Sequence, residues 1–142
     1  MVLVASLWLH AIGTPFMAEA QTPEALAARF GAAWEAQDEG AIADLLTSEG
    51  VHLRLDADGH GGLPPRRVVA ALRSYWADRT EARVSVAKVS TMESQAARAY
   101  GELAWRGVDE VTGERFEATI FLGLARGDDG WRIDEIRTMA PR

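Results

Sequence analysis

The chain has 142 residues, of which 48% are hydrophobic and 25% charged, the balance of one soluble domain able to bury a core rather than of a disordered or membrane-embedded chain. Its formal net charge of -6 argues against nucleic acid, because a phosphate backbone attracts clustered Lys and Arg. The absence of cysteine excludes disulfides, thiolate nucleophiles and Cys-ligated zinc.

The opening MVLVASLWLHAIGTPFMAEA carries an apolar run from Val2 to Leu9 and closes on the small-x-small triplet Ala18-Glu19-Ala20. That is the shape of a secretory signal peptide over residues 1–20, cleaved after Ala20, with one domain over 21–142 in a periplasmic or secreted location. No Lys or Arg precedes the apolar run, so an ordinary N-terminal helix on a cytoplasmic domain, or a start farther upstream, are the alternatives. His10, Thr14 and Pro15 interrupt the segment short of the ~20 apolar residues a spanning helix needs, and no stable membrane span is expected. Cleavage would move the net charge from -6 to -5, since Glu19 is the only charged residue removed.

From Thr22 the signals sharpen. Thr22 as N-cap, Pro23 at the first helical position and Leu26, Phe30, Ala33 and Trp34 at helical spacing predict an amphipathic helix to about Gln37. DEGAIADLLTSEG predicts a second, short helix capped by Asp38, with Ile42, Leu45 and Leu46 on its buried face and a turn at Ser48 to Gly50. VHLRLDA alternates, with Val51, Leu53 and Leu55 on one face and His52, Arg54 and Asp56 on the other, so it predicts a half-buried strand. The glycine-rich DGHGG predicts a turn. LPPRRVVAALRSYWADR predicts a helix entered at Pro65 and ending near Arg79, with Val68, Val69, Leu72, Tyr75 and Trp76 on one stripe.

Four strand-like runs follow, EARVSVAKVS, AARAYGELAWRG, ERFEATIFLGLAR and GWRIDEIRTM, separated by turn-rich segments and predicted to form an antiparallel meander. In the third, Phe116, Ala118, Ile120, Leu122 and Leu124 share one face while Phe121, Gly123 and Ala125 make the other apolar too, the mark of a central strand. In the fourth, the apolar positions change face between Ile133 and Ile136, which a bulge or cover on both faces explains.

The segments ALAARFGAAWEAQDEGAIADLL, RRVVAALRSYWADR and DGWRIDEIRTM, in this order, resemble the nuclear transport factor 2-like superfamily, which includes ketosteroid isomerase-like and SnoaL-like proteins. The resemblance covers Thr22 to Met139 and is similar in pattern to small exported bacterial domains of unknown function. It implies an α+β fold: N-terminal helices packed on a strongly curved, mainly antiparallel sheet, a cystatin-like cone. Members often carry a pocket at the cone's open end, and often form a homodimer through the sheet's outer face. The superfamily has no invariant catalytic signature, so the resemblance implies no reaction.

The motifs for specific chemistry are few. Asp56, Asp58 and Gly61 fall where a calcium loop wants them, but the closing position is Arg67 rather than Glu. His52 and His60 with Asp56 and Asp58 lack the spacing of a closed zinc site, and a solvated turn is the better reading; no metal is expected. The HGG at His60 has no Gly-x-Ser-x-Gly to supply a nucleophile, and neither a P-loop nor a dinucleotide fingerprint is present, so no cofactor is expected.

The aromatic residues Trp34, Tyr75, Trp76, Trp105 and Trp131 come from two helices and two strands, and core packing or a small-molecule site would each use them. Tyr75 and Trp105 are the two expected to show a polar tip to a ligand. His52, Tyr75 and Asp134 are weak candidates for acid–base catalysis, Asp134 reading better as an outward charge beside Arg132. The leading expectation is an exported domain that binds a small apolar or amphipathic molecule in the cone. The alternatives are an isomerase, dehydratase or cyclase in the same cavity, and a noncatalytic module that dimerises or docks a partner through the sheet.

Overall fold

The computed structural model describes residues 22–140, so the apolar opening segment and the expected cleavage after Ala20 lie outside the described residues. Helix α1 (Pro23–Ala36) begins as expected, the Thr22 hydroxyl accepting from the Ala25 N–H at 3.1 Å, and closes at Gln37 in the left-handed region with φ 53°. Leu26, Phe30, Ala33 and Trp34 form its buried stripe. Helix α2 (Glu39–Ala43) is capped by Asp38, which accepts from the Ala41 N–H at 3.1 Å, and is shorter than the expected segment. The final strand in the chain stops it: Ile133 donates to the Leu45 carbonyl and accepts from the Thr47 N–H, both at 2.9 Å, so Leu45 is buried in a turn and Leu46 in a bridge to Ile133 rather than in a continuing helix.

Strand β1 (Val51–Leu55) buries Val51 and Leu53 and exposes His52 and Arg54. The glycine-rich run is a correction to the expected turn. It forms strand β2 (Asp58–Leu63), antiparallel to β1, and the turn shrinks to Asp56-Ala57 with Asp56 at φ 55°. An Asp tolerates that left-handed conformation, and pairing with β1 supplies the hydrogen bonds that weak strand propensity does not. Helix α3 (Pro65–Trp76) buries Val68, Leu72 and Trp76 and stops short of the expected end near Arg79. Arg79 already pairs with Asp109, so the ladder claims its backbone.

Strands β3 (Arg79–Met92), β4 (Gln95–Asp109), β5 (Arg115–Gly127) and β6 (Gly130–Met139) form the expected meander. The full order is β2-β1-β6-β5-β4-β3, and β1 lies parallel to β6 while every other pair is antiparallel. Strand β5 is central, and Ile120, Leu122 and Leu124 on its inner face are buried against the helices. Register breaks between Thr80 and Arg83, and between Val86 and Lys88, bulge and bend β3. The helices cover one face of this sheet, and one hydrophobic core joins all the layers, giving the α+β cone that the element order implies.

The change of face in β6 is a bulge. Leu124 pairs with Ile133 and Gly123 with Glu135, leaving Asp134 as the extra residue. Trp131, Ile133, Ile136 and Thr138 therefore all point inward despite their broken spacing.

Candidate functional site

Four of the five aromatic residues singled out from the sequence come together. The Trp34 ring is buried at the centre, 5.3 Å from Trp76, 5.1 Å from Trp105 and 6.4 Å from Tyr75, each edge to face. Phe30 and Phe116 extend the group, Phe116 lying 4.8 Å from Trp105. Trp131, at the start of β6, is buried in the same core but stacks with none of these rings among the described residues. Much of the cone interior is thus filled by rings. The indole Nε1 atoms of Trp34, Trp76 and Trp105 have no hydrogen-bond partner among the described residues, and an edge-to-face ring is the environment in which an N–H can lean on a π face instead.

Tyr75 carries the cluster outward to a polar network. Its phenol donates to Asp56 Oδ1 at 3.0 Å and lies 3.1 Å from Thr138 Oγ1, while the Asp56 N–H donates to the same Thr138 oxygen at 3.0 Å. The Arg79 guanidinium stands over the Tyr75 ring at 4.1 Å, is 5.9 Å from the Trp105 ring, donates to the Tyr75 carbonyl and reaches Asp56 Oδ2 at 3.8 Å. Burial lifts the Tyr75 phenol above its ordinary pKa, the Thr138 hydrogen bond and the Arg79 charge lower it and the Asp56 charge raises it. Tyr75 is accordingly a proton donor at neutral pH.

This network forms one wall of an open cleft of about 490 Å³ between α3 and the β1–β2 hairpin. Leu53, Leu55 and Ala71 supply apolar surface, and Asp58, His60 and Ser74 join Asp56, Tyr75 and Arg79 as its polar lining. Asp58 and His60 pair with Leu55 and Leu53, so they share the inner face of the hairpin with those leucines.

The other two acid–base candidates lie elsewhere. His52 is exposed on the sheet's outer face, lining a shallow depression with Arg54, Glu135 and Arg137. Asp134 is also on the outer face, but the partner expected for it is corrected: Arg98 of β4 grips both its carboxylate oxygens, whereas Arg132 turns to the Asp44 carbonyl. The bulge rotates Asp134 away from Arg132 and toward the neighbouring strands. Arg106 is exposed and pairs with Glu117 at 3.2 Å.

In the sequence Asp56, Asp58 and His60 read as a solvated turn, and neither Thr138 nor Arg79 stands out as a site residue. One signal was available for Thr138, since a bulge between Ile133 and Ile136 carries position 138 to the inner face. Among the described residues no group of three or more His, Asp or Glu side chains is placed to hold a metal ion. The arrangement can hold an apolar body on the leucines and orient a polar group against Tyr75, Asp56 and Arg79.

No family model and no curated protein sequence matches the chain. Solved structures do match. A ketosteroid isomerase-like protein from Erwinia carotovora atroseptica is 16% identical with a TM-score of 0.69, over 84% of this chain and 93% of that one. A DUF4783 family protein from Bacteroides ovatus is 10% identical with a TM-score of 0.66, over 86% and 97%. A hypothetical protein with the ketosteroid isomerase-like fold from Catenulispora acidiphila, solved in complex with trimethylamine, is 16% identical with a TM-score of 0.65, over 82% and 85%. The element order, the helix-covered sheet and these matches over nearly the whole length of proteins of that size identify the fold as the nuclear transport factor 2-like, ketosteroid isomerase-like α+β cone.

Proposed function

We propose that this domain binds a small amphipathic molecule in the cleft between α3 and the β1–β2 hairpin, and that the filled cone behind it is a rigid aromatic backing. The observation that carries the reading is the cleft's lining: leucines beside a hydrogen-bonded Tyr75–Asp56–Thr138 group whose orientation is fixed by three elements. A protein of the same fold solved in complex with trimethylamine lends support, because it shows that a protein of this fold can hold a small organic molecule. Amide NMR of the full-length chain against a library of small amphipathic compounds tests the reading. Ligand shifts are expected to gather on Asp56 to His60 and Ala71 to Arg79. A library that shifts only outer-face residues, or nothing, overturns it.

Export and self-association belong to the same proposal. The first rests on the apolar opening and the Ala18-Glu19-Ala20 triplet, the second on the outer-face depression where Ala104, Thr119, Phe121 and Met139 lie beside the Arg106–Glu117 pair. Native mass spectrometry of the chain made in a bacterium reads both, as a mature start at Gln21 and a doubled mass. An uncleaved monomer would remove both parts.

A second reading, acid–base catalysis of the isomerase, dehydratase or cyclase kind, is favoured by one observation: the Tyr75 phenol and the His60 imidazole line the same cleft. If a captured molecule is also turned over, Tyr75→Phe and His60→Gln should each cut turnover by about a hundredfold or more, the low edge of general acid–base contributions. Unchanged turnover in both variants would leave binding alone.

A further inference from the structure

We infer that the ligand of this cleft is a small organic cation whose charged head takes the seat that Arg79 fills. The inference rests on the reading of the cleft as a binding site and names the chemistry of what enters it. The seat has the parts that cation recognition requires: the face of Tyr75, the ring of Trp105 and the carboxylate of Asp56, with the guanidinium 4.1 Å and 5.9 Å from the two ring centres and 3.8 Å from the carboxylate oxygen. Arg79 is in effect a tethered ligand, held at the seat by one hydrogen bond to the Tyr75 carbonyl and by the ring face. Its approach to Asp56 is longer than a hydrogen bond, its side chain is 28% exposed, and it stands at the first position of β3, where the chain has just left α3.

The charge of the lining points the same way. Asp56 and Asp58 face a single guanidinium, and Asp58 has no ion-pair partner among the described residues, so the cleft attracts positive charge and repels a carboxylate or phosphate. A tetraalkylammonium head also suits the site physically. It loses less hydration than a primary ammonium on leaving water, and its methyl groups can rest on Leu55 and Ala71 while the charge meets the rings. Arg79 then swings into solvent, where its guanidinium regains water, so the exchange of one cation for another keeps the Asp56 charge balanced.

The test uses three probes of one shape on the full-length chain by amide NMR: choline, its neutral isostere with a tert-butyl group in place of trimethylammonium, and the corresponding tert-butyl carboxylate. Choline is expected to shift Asp56 to His60 and Ala71 to Arg79 and to bind about tenfold tighter than the neutral probe, the carboxylate weakest of the three. Arg79→Met, which keeps apolar bulk and empties the seat of charge, is expected to tighten choline severalfold. Asp56→Asn is expected to erase the preference for choline over the neutral probe. Should either variant fail to fold, the ranking of the three probes on the unaltered chain decides alone. A neutral or anionic probe that binds in the cleft as tightly as choline overturns the cation inference and leaves the cleft reading standing. If none of the three enters the cleft while a compound from the amphipathic library does, the cation inference again falls alone; if neither set enters, both readings fall.

Discussion

At the residue scale, Gly123 and Asp134 show how one bulge fixes several side chains. A Cβ on Gly123 would stand 2.9 Å from Asp134 Oδ1 and 2.9 Å from Glu135 Cβ, so the bulged strand can lie across β5 only where β5 has no side chain. Gly123→Ala should therefore destabilise the fold by about 1–3 kcal/mol, the range of overpacking, read as a lower midpoint in urea with an unchanged slope. A variant as stable as the parent would mean that the bulge relaxes freely. Asp134, held by Arg98, is then an outer-face charge, and the hydrogen bonds that Arg98 donates to the carboxylate lift the already high pKa of the guanidinium. Tyr75 gives a pH signature. Because burial raises its folded pKa above the ordinary 10.0, the unfolded chain loses the phenol proton first. Stability from this group is whole below about pH 10 and drains as pH climbs from there through the folded value. Tyr75→Phe should unfold with a flatter alkaline limb, and an unchanged limb would show that the phenol is not the group responsible.

At the element scale, the caps and a single ion pair set how the helices meet. Asp38 caps α2 and, through it, orients the chain between α1 and the sheet, so Asp38→Ala should cost about 1 kcal/mol in denaturant melts. Glu39 of α2 and Arg73 of α3 form a two-pronged pair, with Arg73 Nε 2.6 Å from Glu39 Oε1. The hydrogen bond from Arg73, more than the accompanying charge, holds the Glu39 carboxyl below its ordinary value of 4.5. The sign follows: the stabilisation is present above about pH 4.5 and disappears as pH falls through the lower folded value, and it is small because both groups face water. Arg73→Ala should flatten that acid limb, as should high salt in the parent, and persistence of the limb in both would clear the pair. The hairpin of β1 and β2 teaches the opposite lesson about legibility. Three glycines in six residues read as a turn, yet the neighbouring strand's backbone converts them into a ladder, since strand propensity is weak beside a ready-made edge.

For the whole molecule, one contiguous core ties α1, α3 and five of the six strands to Trp34 and its neighbours, so unfolding should be one transition. Tryptophan emission and far-ultraviolet circular dichroism are expected to trace the same curve in urea, and two separated curves would show that part of the cone melts alone. Much of this architecture was legible because it rests on local periodicity: the caps of α1 and α2, the stripe of α3, the alternation of β1 and the doubly apolar β5 are written into spacing. Even the β6 bulge was visible, as a change of phase between Ile133 and Ile136. The candidate site was far less legible. Tyr75 could be chosen from its place on an amphipathic stripe, but its partners Asp56 and Thr138 lie 19 and 63 residues away and share no local pattern with it. Which face of β1 would be lined by helices, and hence that His52 is outside and His60 inside the cleft, depended on the side to which the helices pack. The parallel pairing of β1 with β6 likewise joins the first strand to the last. Sequence by itself determined the elements and their order, because hydrophobic period and capping act within a few residues. Only the tertiary structure decided the site, because hydrogen bonds, ring contacts and charge balance form between residues that the chain keeps far apart until the sheet closes over the helices.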